Sequence, residues 1–441
     1  MSTLKVNKLR DTAGSADAIT LDPNGGAVLS GVTTVSTVKV GSGVTISSDG
    51  DVFTTGITTS STVIVGSGVT ISESGIEASG IGITCANING TQIGGRRNIV
   101  INGKAQINQR GDSTGNTSSG YYGPDRFETS VYGGTFSHSA AASGSTLPEF
   151  PKCFRIDCTS AASAASGTNE IKIGYLMEGQ DVQHLQYGSS SAKSITLSFY
   201  VRSNKTETYT AWFYRPDGAR HNAVNFSVSA ANTWEKKIIT IVGDTTSAIN
   251  DDNTMGFKID WILASGSDYK SGSALNGSWA NLSSANRYVG NTGTFGESTD
   301  DVFDITGIQF EVGTQATAFE HRSYGEELKL CERYCETILV GESNGAYMNN
   351  TVAYANNALY TIIRFRTPKR ATDPTLVQTT GTDYYKLYRA NGSTTATGFT
   401  AANWPNTHGS AIYNSMTCTE GQSGLLGSNN VNALLLFTSE L

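Results

Sequence analysis

Between residues 31 and 80 valine and isoleucine fall on alternate positions, and they do so twice in the same order. Residues 31–55, GVTTVSTVKVGSGVTISSDGDVFTT, align without gaps on residues 56–80, GITTSSTVIVGSGVTISESGIEASG. The shared VGSGVTIS lies at Val40–Ser47 and again at Val65–Ser72, a 25-residue repeat. In the first copy Val38, Val40, Val44 and Ile46 alternate with Lys, Gly, Thr and Ser. That is the period of a half-buried strand, and Gly-Ser-Gly between the pairs marks a tight turn. Two such units predict about four short strands whose apolar faces are too thin to stand alone. Three copies around an axis would bury the valine rows, so a homotrimeric β stalk is expected over residues 21–95. A flexible Gly/Ser/Thr linker would not hold Val and Ile in register. Residues 1–20 carry Lys5, Lys8 and Arg10 among few apolar positions, and read as an anchoring tail that orders on its partner.

From about residue 96 to 322 the pattern changes to many short alternating runs. SITLSFYVRS, TYTAWFYRP, WEKKIITIVGD, MGFKIDWILA and FDITGIQFEVG each read as a strand between polar turns. Their spacing predicts an antiparallel β-sandwich or jelly-roll head. Trp234 and Trp261 sit in apolar strand patterns and are expected in the core. The one helical stretch is Gly325–Ile338, where Leu328, Leu330, Cys331, Tyr334, Cys335 and Ile338 cluster at helical spacing. It predicts a linker helix over 323–339 with Cys331 and Cys335 on one face. Residues 340–441 are rich in Tyr, Asn and Thr and predict a second small β domain, with ALYTIIRFRTP and YYKLYRA among its strands. The fold class expected is all-β.

Composition supports this reading. Of 441 residues only 16% are charged, while 49 are Gly, which suits strands joined by tight turns. A net charge of −7 and a pI near 5.4 leave no basic footprint for nucleic acid. The start, MSTLKVNKLRDTAG, has no apolar run, so no secretory signal and no membrane span are expected, and synthesis in a cytoplasm with reduced thiols follows. The cysteines Cys85, Cys153, Cys158, Cys331, Cys335 and Cys418 show no CxxC spacing. They read as small buried residues.

Three segments, RRNIVINGKAQINQRG (Arg96–Gly111), DITGIQFEVGTQATAFEHRSYGEELKLCERYCE (Asp304–Glu336) and RFRTPKRATDPTLV (Arg364–Val377), resemble tail-fibre-like proteins of phages. STLKVNKLRDTAG resembles the opening of fibre and appendage proteins of marine phages, including those of cyanobacteria. The resemblance implies a trimeric virion fibre, docked through its N-terminus on a tail, baseplate or capsid protein. It also implies a head like the jelly roll of carbohydrate-binding modules, attaching to host cell-surface polysaccharide. A structural connector without receptor binding is the alternative. A depolymerase spike is the second.

Catalysis is not expected. Asp251 with Asp252, Asp300 with Asp301, and Glu326 with Glu327 are adjacent pairs, which point apart on a strand or splay on a helix, whereas glycosidic cleavage needs two carboxylates facing one bond. The histidines His138, His184, His221, His321 and His408 are scattered without an HExxH pattern, and no GxSxG elbow or P-loop is present. His321, inside FEHRS, reads as a surface or packing residue. No cofactor is expected; Asp300, Asp301 and Asp304 are oxygen-rich candidates for calcium.

Glycan binding asks for an aromatic plate flanked by planar polar groups. Trp212 and Tyr214 beside Arg215 and Asp217, Trp279 beside Asn276 and Asn281, and Tyr121 and Tyr122 beside Asp125 and Arg126 fit that demand. So does Trp404, beside Asn403 and Asn406. Trp279 and Trp404, in the most polar loops, are the leading candidates.

Overall fold

The computed structural model describes residues 96–342, 347–389, 392–401, 405–415 and 417–441, together with the backbone of six short strands nearer the N-terminus. The chain divides into two compact units, Met1–Thr84 and Cys85–Leu441.

In the first unit Lys8–Arg10, Asp17–Leu21 and Ala27–Leu29 form one antiparallel sheet. Asp17–Leu21 therefore runs across the boundary expected at residue 20, because its backbone pairs with strands on both sides of it. Thr62–Val65, Val69–Ser72 and Gly75–Ala78 form a second antiparallel sheet. In this hairpin Val65 pairs with Val69, and the Gly-Ser-Gly of the repeat lies outside the described residues. The first copy of the repeat and Cys85 lie outside the described residues.

The second unit opens with two facing antiparallel sheets. One runs in spatial order Glu235–Ile241, Ile195–Ser203, Val302–Val312, Lys152–Ser160, Thr135–Ala142 and Ser113–Asn116. The other runs Ala280–Asn281, Arg220–Ser227, Thr208–Arg215, Met255–Ser265, Glu170–Glu178, Phe127–Ser130 and Gly120–Tyr121. All five segments singled out by alternation are strands. Leu197, Phe199 and Val201 from the first sheet and Tyr209, Ala211 and Phe213 from the second meet in one core with Trp261, as the period-2 pattern requires. Trp234 departs from expectation. It precedes an edge strand and is only half-buried: its indole N–H donates to the Ser143 carbonyl at 3.0 Å and the Arg202 guanidinium lies 4.6 Å over its ring.

The helix spans Tyr324–Glu332, shorter than the pattern predicted. It starts where Ser323 and Glu326 form a reciprocal capping box. It stops because Cys335–Val340, with Thr337, Ile338 and Val340, pairs as a strand with Leu434–Thr438. Cys331 is thus on the helix and Cys335 on a strand, and both are buried.

Beyond the helix a three-stranded sheet (Cys335–Val340, Leu434–Thr438, Thr375–Gln378) and a seven-stranded sheet share a core of Leu359, Ile363, Tyr385, Leu387, Ile412, Leu426, Leu435 and Phe437. The seven-stranded sheet runs Gly392–Ala396, Tyr385–Arg389, Ser423–Ser428, Tyr347–Ala355, Ala358–Arg364, Gly409–Asn414 and Thr400–Ala401. This part is fastened to the head. Glu440 pairs with Arg126 and, at 2.9 Å, with Arg110; Arg333 reaches Glu178 at 2.6 Å.

The three segments that carried the resemblance meet at this junction. Asn98 bonds Ile308 and Phe310 across 210 and 212 residues, and Asn102 N–H donates to Glu327. Gly103 has no room for a side chain, since a Cβ there would collide with the Ile308 carbonyl. Gln109 N–H donates to Asp125 and its side chain to the Cys335 carbonyl. From the third segment Arg366 and Lys369 bond Glu336, and Arg370 bonds the Ser439 and Glu440 carbonyls. These residues hold the architecture together.

Candidate functional site

In the head, most of the predicted aromatic residues are spent on structure. Trp212 is 4% exposed. Tyr214 stacks on it at 5.0 Å, Tyr288 meets it edge-on, Arg287 lies 5.3 Å over its ring, and its N–H donates to His221 Nδ1. Burial and the Arg287 charge push the His221 imidazole down to about 4. Trp279 is half-buried with its N–H on the Val242 carbonyl at 2.8 Å, and it packs edge-on against Tyr187 and Phe257. Tyr121 donates to the Leu441 carbonyl, and Tyr122 lies 5.1 Å from the His138 ring. Their expected polar neighbours, Asp125 and Arg126, are fully buried in the junction. Trp404 and Asn403 lie outside the described residues.

The calcium candidates are spoken for in a similar way. Asp304 is gripped by Arg155 at 2.7 Å and Arg202 at 2.6 Å. Asp301 accepts from Gly296 N–H and pairs with Lys205 at 2.9 Å. Asp300 alone is exposed. Of the carboxylate pairs, Glu326 serves the helix cap and Glu327 is buried against Asn102 and Arg322. His321 is exposed, 3.0 Å from Glu149 and stacked on Phe150.

Open aromatic surface is found elsewhere, on the outer face of the C-terminal seven-stranded sheet. Cross-strand partners share a face. Val352 pairs with Tyr360, Tyr360 with Tyr413, Ile362 with Ala411, and Tyr388 with Leu425. Leu359, Ile363, Leu387, Ile412 and Leu426 alternate with them and fill the core, which drives this set outward. Tyr354 is 75% exposed and Ile362 66%, and Tyr347, Val352 and Leu425 are exposed as well. The rings form two groups: Tyr354, Tyr360 and Tyr413, with centroids 5.8 and 5.6 Å apart, and Tyr347 with Tyr388 at 5.2 Å. Asn350, opposite Leu425, and Arg364 supply planar polar groups on the same strands, while the Asn349 amide is held by the Ile362 carbonyl and the Asn350 N–H. At one end a cavity of about 500 Å³ opens between Ile362, Arg364, Phe365, Asn406 and His408. These tyrosines were not singled out from the sequence, although V-A-Y and Y-T-I-I-R carry the alternation that points them away from the core.

The described chain is thus a mostly β protein of antiparallel sheets in sandwich-like arrangement, and among its described residues no helix is long and apolar enough to cross a membrane. No protein family and no curated protein matches its sequence. Among solved structures it is similar to the enzymatically active domain of tailspike protein 4 of bacteriophage CBA120, at 11% identity and a TM-score of 0.24, covering 49% of this chain and 21% of that one. The chain therefore spans about a fifth of that tailspike structure. It is also similar to the CBM22-1 xylan-binding domain of Paenibacillus barcinonensis Xyn10C, at 6% identity and a TM-score of 0.25, covering 51% of this chain and all of that one. A third likeness, to the CBM22-1 and GH10 modules of a Clostridium thermocellum xylanase complexed with xylohexaose, has 12% identity and a TM-score of 0.26, covering 51% of this chain and 30% of that one. Superpositions this loose bear on no point of function.

Proposed function

We propose that this chain is a non-enzymatic, homotrimeric phage fibre that attaches to host cell-surface polysaccharide, and that the tyrosine face of its C-terminal sheet makes the contact. One observation carries the reading: exposed tyrosines share a sheet face with the Asn350 amide and the Arg364 guanidinium, where a sugar ring can stack and its hydroxyls can bond. Three linked copies raise the avidity without any new contact. The N-terminal segment serves as the virion attachment, and the particle appendage is the chain's place of action.

A glycan array with the full-length chain tests this. Binding to a defined set of polysaccharides is expected, with Tyr354→Ala and Tyr347→Ala each weakening it several-fold while circular dichroism stays unchanged. Silence across the array from a folded trimer counts against the reading. Exposed Val352, Ile362 and Leu425 favour a second reading, in which the face packs on a neighbouring protein in a purely structural connector. Under that reading Ile362→Asp lowers the mass of the assembly in light scattering and leaves glycan binding absent throughout.

A further inference from the structure

The same face has a charge signature that narrows its ligand. The seven strands of the sheet contain Arg364, Lys386 and Arg389 and no Asp or Glu, in a chain where acids outnumber Lys and Arg by 38 to 31. Arg389 is consumed at its strand end by the Thr417 carbonyl, Gln422 and Thr394. Lys386 lies on the outer face with its ammonium 5.0 Å over Tyr388. Arg364 is exposed at the mouth of the 500 Å³ cavity, beside Tyr360 and Ile362 on its own strand. Its backbone pairs with Gly409, but its guanidinium has no hydrogen-bond or ion-pair partner among the described residues. The acid at the border, Asp383, accepts from Thr395, which pairs with Lys386.

Arg97, Arg370 and Arg389 also lack a carboxylate but bond neutral oxygens, and Arg287 lies over the Trp212 and Tyr269 rings; most other arginines of this unit are ion-paired. Arg110, Arg126, Arg155, Arg202, Arg322 and Arg333 each rest on a carboxylate. A guanidinium presents parallel N–H donors that match a carboxylate or sulfate, and such charge-assisted pairs are the stronger kind of hydrogen bond. A neutral glycan offers it hydroxyl oxygens as acceptors but no opposite charge.

We propose that the tyrosine face takes an anionic glycan, with sugar rings on the tyrosines and the ring's carboxylate or sulfate on Arg364. This rests on the glycan reading above and adds the ligand's charge. Lys386, on the other side of the face, widens the positive field along which an extended polyanion lies. The steering is screened by salt, with a reach of about 8 Å at physiological ionic strength.

The test uses affinity electrophoresis of the full chain in gels holding polygalacturonate, the same polymer with its carboxyls reduced to alcohols, dextran sulfate, or dextran. Polygalacturonate or dextran sulfate is expected to retard the chain, and whichever does so identifies the carboxylate or the sulfate as the group read. Carboxyl reduction is expected to weaken binding about tenfold, and Arg364→Gln to weaken the anionic polymer about as much, the size of one charge-assisted contact. Arg364→Lys keeps the charge but loses the two-pronged geometry, so it restores only part. Equal binding of charged and uncharged polymers overturns the inference and leaves the glycan reading standing. Polyanion binding that ignores Arg364→Gln and both tyrosine substitutions is bulk charge attraction and overturns the site. No retardation by any of the four polymers overturns the inference. If the array above is silent too, and Ile362→Asp breaks the assembly, the glycan reading falls with it and the face belongs to a protein neighbour.

Discussion

His138 and His221 show what the head does with polar side chains that it buries. His138 has Asn116 at 3.0 Å on its Nδ1 and no hydrogen-bond partner on its Nε2, among the rings of Tyr122 and Phe154. His221 accepts from the Trp212 N–H on Nδ1, which a protonated ring cannot do. Burial pushes both down to about 4. In the unfolded chain each takes a proton near its ordinary 6.5. Below that pH the unfolded state binds protons that the folded state refuses, so stability is full above pH 6.5 and is lost as the pH falls towards 4. Asp125 works the other way: burial pushes its carboxyl up to about 6, so its contribution is full below its ordinary 3.8 and is lost as pH rises through 6. His184 is lowered as well, and Asp157 and Asp260 are raised like Asp125; the part of the response that belongs to His138 and His221 is a drop in the urea midpoint of the second unit between pH 7 and pH 4.5. In His138→Phe the drop should be smaller. An unchanged slope in that variant would remove His138 from the account.

At the scale of elements, the helix was readable in its start and unreadable in its end. Ser323 three residues before Glu326 is a visible cap, and the structure forms the full capping box. Leu328, Leu330, Cys331, Tyr334, Cys335 and Ile338 continue the helical spacing past Glu332. The strand over Cys335–Val340 wins because Leu434–Thr438, nearly a hundred residues away, offers it a ladder. No local pattern shows such a partner. Ser323→Ala should destabilise the second unit by about 1 kcal/mol, read as a lower urea midpoint with an unchanged slope. Ser323→Thr, which keeps the hydroxyl, should restore most of it. The aromatic candidates failed at this scale for a related reason. Trp212, Trp279 and Tyr121 stand beside polar residues in sequence, but loops and the C-terminal strands fold over them.

At the largest scale, the second unit is held by charges that cross from head to C-terminal sheets. Glu440 answers the buried guanidinium of Arg126 and the partly buried one of Arg110, and Arg126 also stacks 3.4 Å over the Tyr334 ring. Glu440→Ala leaves both without that carboxylate. The expected cost is about 3–5 kcal/mol, because an unanswered buried charge is worse than none. Glu440→Gln, which keeps an acceptor, should cost less. Calorimetry of residues 96–441 checks this, and the wild type is expected to melt in one transition because the two parts share the junction around Ile101, Ile107, Cys331 and Tyr334.

The sequence by itself determined the β class, the five head strands read from alternation and the start of the helix near residue 323. Alternation and capping are local, acting over two to four residues, and so they survive in one dimension. Tertiary structure decided which aromatics are open. Trp212 and Tyr354 look alike in sequence, each an aromatic residue on an alternating strand. One is covered by Tyr288 and Arg287, while the other meets Tyr360 edge-on and stays 75% exposed, and exposure of that kind depends on contacts between residues far apart in the chain.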